Sequence, residues 1–190
     1  KWRTIRGGSI EYVKRIDEYI RNHNATILTN SKIEMIKRDK QKTTISCNGK
    51  DYAFDKIIMA THADTAKKLL SNDITKQESR ALSKFKYSIN RTVLHKDTRV
   101  LPDNKRLISA WNYSVFNTES DNPTAVFTYC MNILQHIDSK YPVLVTLNPQ
   151  INIDKSKIYH VEDYEHPIYD LESLEGQKLV SSIQGMNNTY

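Results

Sequence analysis

The sequence predicts a mixed α+β or α/β fold in which a three-stranded β-meander is followed by a second, mixed sheet. Three observations support this fold class. Apolar residues recur every three to four positions from Ile10 to Ile20, which is typical of an amphipathic helix. Alternating segments on both sides of Asn48-Gly49 predict a hairpin. The compact apolar run 57–60 predicts a strand that is buried on both faces of a parallel sheet.

The first part of the chain, residues 1–70, is predicted to contain a helix, the meander and a buried strand that leads into a second helix. Gly7-Gly8-Ser9 precedes the first helix, and Ser9 is its candidate N-cap residue. The pattern Thr61-His62-Ala63-Asp64 resembles a capping box at the start of the second helix. The predicted strands are a short one at 26–28, the meander strands 32–36, 43–47 and 51–54, and the buried strand 57–60.

The second part, residues 71–188, is predicted to form the mixed sheet, with a boundary near 71–74. A capping box at Thr75-Lys76-Gln77-Glu78 predicts a helix that carries Leu82 and Phe85 on its inner face. Prolines separate the strand-like segments, since proline cannot donate an N–H to a ladder. The predicted strands are 89–95, 106–113, 124–131 and 143–147, a last helix is predicted at 171–183, and residues 189–190 begin a return to the first part.

Composition narrows the class of protein. The chain has 190 residues, of which 38% are apolar and eleven are tyrosines, so it can form a packed core. No apolar run approaches the roughly 18 residues that a membrane helix needs. Cys47 and Cys130 form no CxxC pair, which favours reduced thiols and a cytoplasmic location over a disulfide.

The net charge of +6 permits a nucleic-acid partner, but the pattern of the basic residues argues against one. Their densest group, 37–42, falls in a predicted hairpin turn, where a solvated turn is favoured over a phosphate-binding patch. No RNA-recognition aromatic motif or GXXG loop occurs, so no nucleic-acid partner is expected and an RNA-binding module is only a weak alternative.

Glycine usage also limits what the chain can bind. Its five glycines are too far apart to form a GxGxxG unit or a P-loop, so the phosphate cradle of any bound nucleotide would lie outside these residues. His160 and His166 are six residues apart and are followed by Pro167, which does not suit a helical metal site, and no metal is expected. His95 is predicted to lie at a strand end near Asp97. No serine has the GxSxG context of a hydrolase nucleophile.

Seven stretches, in order along nearly the whole chain, resemble the flavin-containing amine oxidoreductase family, whose superfamily includes monoamine oxidases, protoporphyrinogen oxidases and phytoene desaturases. The stretches are "WRTIRGGSIEYV", "FDKIIMATHADTAKKLL", "YSINRTVLHKDTRVLP", "SAWNY", "TYCMNILQ", "VTLNP" and "IQGMNNTY". The resemblance implies that residues 1–70 are the returning segment of a Rossmann-like FAD-binding domain of the glutathione-reductase type. Residues 71–188 would then be a substrate-binding domain, and 189–190 the start of the return to the FAD domain.

The family's GxGxxG unit and its C-terminal glycine-rich stretch do not occur in the sequence. The chain is therefore expected to be a central fragment of an FAD-dependent oxidoreductase and to be inactive alone. The resemblance implies FAD as the cofactor, with its adenosine half against strand 32–36 and a main-chain contact at Ile33. Ala60 and Thr61 would lie near the cofactor, and Gly7-Gly8 would allow close backbone approach. From the residues alone, a tight turn at the glycine pair and a core position for Ile33 are favoured over a cofactor contact.

The candidate substrate-binding residues alternate aromatic or polarisable side chains with amides, which suits an apolar pocket with a few orienting hydrogen bonds. They are Trp111, Asn112, Tyr113, Tyr129, Met131 and Asn132, with Gln135 nearby. The alternative is that Trp111 and Tyr129 are core aromatics. In this family the flavin accepts a hydride from a substrate C–H bond, so no residue of the chain is expected to be an indispensable acid or base.

The resemblance leaves the small-molecule substrate open between an amine and a lipid-like compound. An association of similar proteins with cyclopropane-fatty-acyl synthases favours the lipid-like compound. The expected location is cytoplasmic, with peripheral membrane association left open. A different class of function also stays open, namely a non-enzymatic interaction protein that keeps the fold without the cofactor.

Overall fold

The computed structural model describes residues 3–39, 41–116 and 124–190. The chain divides into two compact units, each made of two segments. The first unit comprises Lys1–Ile27 and Ile89–Glu165, and the second comprises Leu28–Ser88 and His166–Tyr190. The predicted domains 1–70 and 71–188 were assigned by expected function, cofactor binding and substrate binding, and not by compactness. They remain a prediction.

The described residues form five α-helices and eight strands. The helices are α1 (Ser9–Asn22), α2 (Ala63–Leu69), α3 (Lys76–Leu82), α4 (Met131–Leu134) and α5 (Leu171–Ile183). The strands are β1 (Ile33–Arg38), β2 (Thr43–Cys47), β3 (Lys50–Phe54), β4 (Tyr87–His95), β5 (Trp111–Phe116), β6 (Thr124–Cys130), β7 (Leu144–Leu147) and β8 (Ile158–Pro167). The mixed α and β content agrees with the predicted class.

The predicted meander is confirmed as an antiparallel sheet of order β1-β2-β3. Asn48 and Gly49 have φ of 50° and 71° between the paired residues Cys47 and Lys50, which is the two-residue hairpin turn that this dipeptide favours. Arg38 pairs with Thr43 across the other turn, so the basic segment 37–42 does contain a hairpin turn; Lys40 lies outside the described residues.

Two strand predictions in residues 1–70 are wrong. Residues 26–28 form no strand, because no neighbouring segment among the described residues pairs with them. The run 57–60 is reduced to one parallel bridge between Ile57 and Thr189. Ile57 is buried, but Ile58 is 80% exposed, since the described residues cover only one face of this segment.

Helix starts follow the sequence signals only in part. Gly8, not Ser9, is the N-cap residue of α1. His62 caps α2 without a side-chain hydrogen bond, so the pattern at 61–64 forms no capping box. At α3 the box is confirmed: Thr75 Oγ1 accepts from the Glu78 N–H, and the Glu78 carboxylate accepts from the Thr75 N–H. The helix ends at Leu82, before Phe85.

The second sheet has the order β5-β6-β7-β4-β8. The pairs β5–β6, β6–β7 and β7–β4 are all antiparallel, so the prediction of a mixed sheet is wrong for these strands. The strand predicted at 106–113 starts only at Trp111, after a 3₁₀ turn at Lys105–Leu107. β8 was absent from the sequence prediction, because its residues are mostly polar and exposed.

A small apolar core lies within the second unit. In the second unit, Ile36, Ile57, Leu69 and Leu70 form the buried cluster. The two cysteines are unpaired and buried, as predicted. Among the described residues, no helix combines the length and the apolar character that crossing a membrane would need.

Candidate functional site

An exposed aromatic surface lies on one side of β5 and β6. Trp111 and Tyr113 are two residues apart on β5 and therefore project from the same face of the sheet. They stand opposite Tyr129 and Phe127 of β6, with ring centroids 5.5 Å and 5.0 Å apart. Trp111 is 57% and Tyr113 60% exposed, so neither is a core aromatic in the described chain. We call Trp111, Tyr113, Phe127 and Tyr129 the aromatic face.

Strand β7 extends this surface with aliphatic side chains. Val145 pairs with Tyr129, and Leu147 pairs with Phe127, which places both on the same side of the sheet. No aspartate, glutamate, histidine, lysine or arginine occurs at the paired positions that make up the surface on these three strands. The surface can therefore bind an apolar molecule, and the phenols of Tyr113 and Tyr129 are the titratable groups at these positions.

Asn112 is not part of the aromatic face. It lies between Trp111 and Tyr113, points to the opposite side of the sheet, and is buried. Its amide Nδ2 donates to the carbonyls of Ser109 (2.8 Å) and Thr128 (3.2 Å), and its Oδ1 accepts from the Ser109 N–H (3.1 Å). Asn112 thus anchors the start of β5.

The side-chain amide of Asn132 also forms hydrogen bonds to the backbone of the first unit. Its Oδ1 accepts from the Val143 N–H (2.6 Å), and its Nδ2 donates to the carbonyls of Ile137 and Tyr141. Met131, half-buried at the start of α4, donates its backbone N–H to Val143. Through these hydrogen bonds, both residues stabilise the connection between α4 and β7. A substrate contact by any of the six candidate residues remains a prediction.

The predicted adenosine contact lies on an open strand edge. β1 is the outer strand of the meander, so one of its edges has no strand partner among the described residues. Ile33, at its start, is 41% exposed and is not a core residue. The pairing of β1 with β2 shifts register between Ile33 and Met35. An unpaired strand edge presents main-chain N–H and C=O groups, which is what a main-chain contact with a nucleoside requires.

The glycine pair Gly7-Gly8 belongs to the first unit and has φ of 86° and 87°. These values favour glycine, because L side chains rarely adopt them. A side chain at Gly7 would meet Glu11, whereas the space beside Gly8 is open. Close approach of another molecule is therefore sterically open at Gly8. The other predicted cofactor residues, Ile33, Ala60 and Thr61, belong to the second unit.

The second unit contains an open, mostly apolar cavity of about 290 Å³. Met59, Thr61, Tyr87 and Tyr190 are among its lining residues, whereas Ala60 is exposed and does not line it. The segment at Met59 is held by parallel hydrogen bonds, including Met59 N–H to the Tyr190 carbonyl at 2.7 Å. His62 stacks on Tyr87 at 4.4 Å. Thr61 thus lies on the wall of an apolar cavity.

A buried ion cluster forms one boundary of this cavity, and sequence reasoning missed it. The Arg38 guanidinium donates to both carboxylate oxygens of Glu78 (2.6 and 3.0 Å), to Asp73 Oδ1 (3.0 Å) and to Thr189 Oγ1 (3.1 Å). Burial by itself would raise the pKa of Glu78, but hydrogen bonds from Arg38 and Thr75 hold it below its ordinary value. The capping pattern at Thr75 predicted the position of Glu78, but nothing local to it predicted Arg38.

A row of buried polar side chains crosses the second sheet. His95 Nε2 lies 2.8 Å from Thr146 Oγ1, which lies 2.9 Å from Thr128 Oγ1. The Asp97 N–H donates to His95 Nδ1, so the neutral ring carries its proton on Nε2. Burial lowers the pKa of His95, and the nearby Asp97 charge opposes this only in part. The prediction of His95 beside Asp97 is confirmed.

The Asp97 carboxylate is itself fully enclosed by donors. It accepts hydrogen bonds from the Arg99 side chain, from the Asp154 N–H (3.0 Å) and from Lys157 Nζ (3.4 Å). The hydrogen bonds from Arg99 outweigh burial and hold the pKa of Asp97 far below its ordinary range. These contacts join β4 to the turn before β8 and indicate a structural role.

His160 and His166 both lie on β8. His160 Nε2 contacts the Glu162 carboxylate at 3.3 Å. Within the described ranges, no group of three or more histidine, cysteine, aspartate or glutamate side chains is arranged to hold a metal ion.

Comparison with known proteins identifies the family. Residues 2–145 match the model of the flavin containing amine oxidoreductase family. No curated protein sequence matches the chain significantly. The fold is similar to that of a CLA-producing fatty acid isomerase from P. acnes, with a TM-score of 0.61 and 15% identity over 93% of this chain. It is also similar to a protoporphyrinogen oxidase-like protein from Exiguobacterium sp. 255-15, with a TM-score of 0.60 and 10% identity over 96% of this chain.

The chain spans 45% of the length of each of these two structures. At such low identity the two likenesses describe the fold only, and the family model carries the assignment over most of the chain. The chain belongs to the flavin-containing amine oxidoreductase family.

Proposed function

We propose that the chain is the central part of an FAD-dependent oxidoreductase that oxidises a substrate C–H bond by hydride transfer. The observation that carries the proposal is the exposed aromatic face on β5 and β6, in a chain of this family. The chain spans 45% of the length of each of the two similar structures, which supports a role as part of a longer enzyme. When bound, FAD supplies the hydride acceptor.

Three groups of residues would hold the cofactor. The main chain of Ile33, on the open edge of β1, would bind the adenosine half. Ala60 and Thr61 would contact the cofactor from the end of the segment that pairs with Tyr190. Gly7 and Gly8 would permit close backbone approach, which the open space at Gly8 supports. The described residues contain no glycine-rich phosphate cradle.

The aromatic face would bind the apolar part of the substrate and exclude water from it. Aromatic side chains bury a large apolar area and lose little conformational freedom when they do so. Because this surface carries no carboxylate, imidazole, amine or guanidinium group, we expect the chain to orient the substrate rather than to move a proton. Asn112 and Asn132 would then support the surface through the backbone contacts described above.

The test uses the complete protein and compares aromatic substitutions on two surfaces of one sheet. Trp111→Ala and Tyr113→Ala should each lower kcat/KM at least about fivefold, since one aromatic contact contributes about 1 kcal/mol beyond its buried area. Tyr164→Ala is the matched control, because Tyr164 is an exposed tyrosine on β8 outside the aromatic face. Kinetics unchanged in both Trp111 and Tyr113 variants would remove these residues from the substrate site.

Flavin absorbance of the purified complete protein separates this proposal from a non-enzymatic relative. A colourless protein that gives no response to added FAD would favour an interaction protein that kept only the fold. The proposal includes a cytoplasmic location, which the two unpaired thiols support. A link to cyclopropane-fatty-acyl synthases gains no support from the comparisons and is not part of it.

A further inference from the structure

The first unit contains an open cavity of about 670 Å³, which is within the usual range for small-molecule sites. One wall is the segment 3–7, which precedes α1. The other wall is formed by Ala110 and by residues 133–136 at the end of α4. Both walls belong to the same compact unit.

The side chains that line this cavity are all basic or uncharged. Arg3 and Arg6 contribute two guanidinium groups, and no aspartate or glutamate is among the lining residues. Neither arginine has an ion-pair partner within the described part of the chain. The nearest acid along this segment is Glu11, which packs beside Gly7, and its carboxylate is bound to Lys14 Nζ at 3.3 Å. The cavity therefore favours an anion and repels an ammonium ion.

The same cavity also has an aliphatic lining. Ile5 and Ile133 are both exposed, and Leu134 lies beside Ile133. Exposed aliphatic side chains beside unpaired arginines match a ligand that carries an apolar chain and an anionic end. A small inorganic anion would leave the aliphatic lining in water.

We propose that this cavity binds an amphipathic aliphatic acid, with the carboxylate on Arg3 and Arg6 and the chain against Ile5, Ile133 and Leu134. A guanidinium presents a planar fork of N–H donors that matches the two oxygens of a carboxylate. The inference rests on the proposed function and names its substrate class, an acid with an aliphatic chain rather than an amine. Ala110 lines the cavity directly before Trp111 of the aromatic face, which would bind the rest of the apolar chain.

The phosphate groups of a nucleotide are a second source of negative charge for the same arginines. The aliphatic lining disfavours them, because a nucleotide has no apolar chain to cover Ile5 and Ile133. The experiment therefore includes ADP beside the acid.

Binding of octanoate, octylamine, octanol and ADP to the complete protein is measured by isothermal titration calorimetry. Octanoate should bind at least tenfold more tightly than octylamine. The double variant Arg3→Gln/Arg6→Gln should weaken octanoate binding about tenfold and leave octanol binding unchanged, because only the charged contacts are lost. Arg15→Gln, which removes an exposed arginine of α1 outside the cavity, should change neither. Added salt should weaken octanoate binding and not octanol binding.

Three results would overturn the inference: equal binding of octylamine, octanoate binding that the double variant does not weaken, or arginine-dependent ADP binding without octanoate binding. Circular dichroism of each variant verifies that the fold is retained. The proposed function is tested separately, by flavin uptake and reduction in the complete protein. Octanoate binding is measured without turnover, so a failure of the inference and a failure of the proposed function are distinguishable.

Discussion

Replacing Arg38 with methionine removes the charge from the buried cluster and keeps a side chain of similar length. In the native protein the Arg38 side chain is almost fully buried and donates five hydrogen bonds, two to Glu78, two to Asp73 and one to Thr189. The variant leaves the Glu78 carboxylate buried without its cation. Breaking a buried ion pair from one side costs roughly 3–5 kcal/mol, because the remaining charge stays desolvated.

This cost is large relative to the roughly 5–15 kcal/mol that stabilises a folded domain. For a chain of this size, it corresponds to a decrease in Tm of roughly 6–20 °C. The free energy of unfolding is measured by urea denaturation followed by far-UV circular dichroism. The matched control is Arg80→Met, since Arg80 is 68% exposed and pairs with Glu175 on the surface at 3.2 Å. An exposed pair contributes at most about 1 kcal/mol, so the control should remain close to the native protein.

The pH dependence distinguishes a lost charge partner from a simple packing defect. In the native protein the pKa of Glu78 is lowered, so its contribution is present above the ordinary glutamate value and is lost as pH falls through the lowered pKa. In Arg38→Met the buried carboxylate loses its cation and its pKa should rise above the ordinary value. The variant should then lose stability as pH rises. A cost below about 1 kcal/mol, or one that is the same at acid and neutral pH, would refute the reasoning.

Two further substitutions test buried contacts in each unit. The lowered pKa of His95 means that the folded protein prefers the neutral ring, so native stability should fall as pH decreases below the ordinary histidine value of about 6.5. His95→Gln should remove that part of the slope, and an unchanged urea midpoint profile would contradict this. In Gly176→Ala the new Cβ would lie 2.8 Å from Lys84 Cβ and 3.0 Å from the Phe85 ring. This clash between α5 and the segment after α3 should lower stability by about 1–3 kcal/mol, and an unchanged Tm would show that the contact can relax.

Local sequence signals predicted the elements whose geometry depends on neighbouring residues. Asn48-Gly49 forms its turn because two adjacent residues adopt positive φ, and the box at Thr75 and Glu78 closes within one helical turn. The same reasoning failed at 61–64, where the sequence pattern is similar but no side-chain bond forms. A capping pattern shows that the side chains needed for the capping hydrogen bonds are present. The backbone conformation before the helix decides whether those hydrogen bonds form.

The aromatic face was predictable in part. Spacing along β5 alone places Trp111 and Tyr113 on one face and Asn112 on the other. That Tyr129 and Phe127 stand opposite them depends on the register between β5 and β6, which the sequence does not specify across the connection. Whether the aromatic face contacts a substrate stays a prediction.

The sequence by itself determined the family, the meander, most helices and the two buried thiols, because each depends on a motif or a short-range pattern. Only the tertiary structure decided the partners of Arg38, which lie 35, 40 and 151 positions away in the chain. It also decided that the polar strand β8 joins a sheet and that Arg3 and Arg6 line a cavity with residues 133–136. These contacts join segments that are distant in sequence, and a local pattern carries no information about which distant segment will supply the other half of a hydrogen bond, an ion pair or a cavity wall.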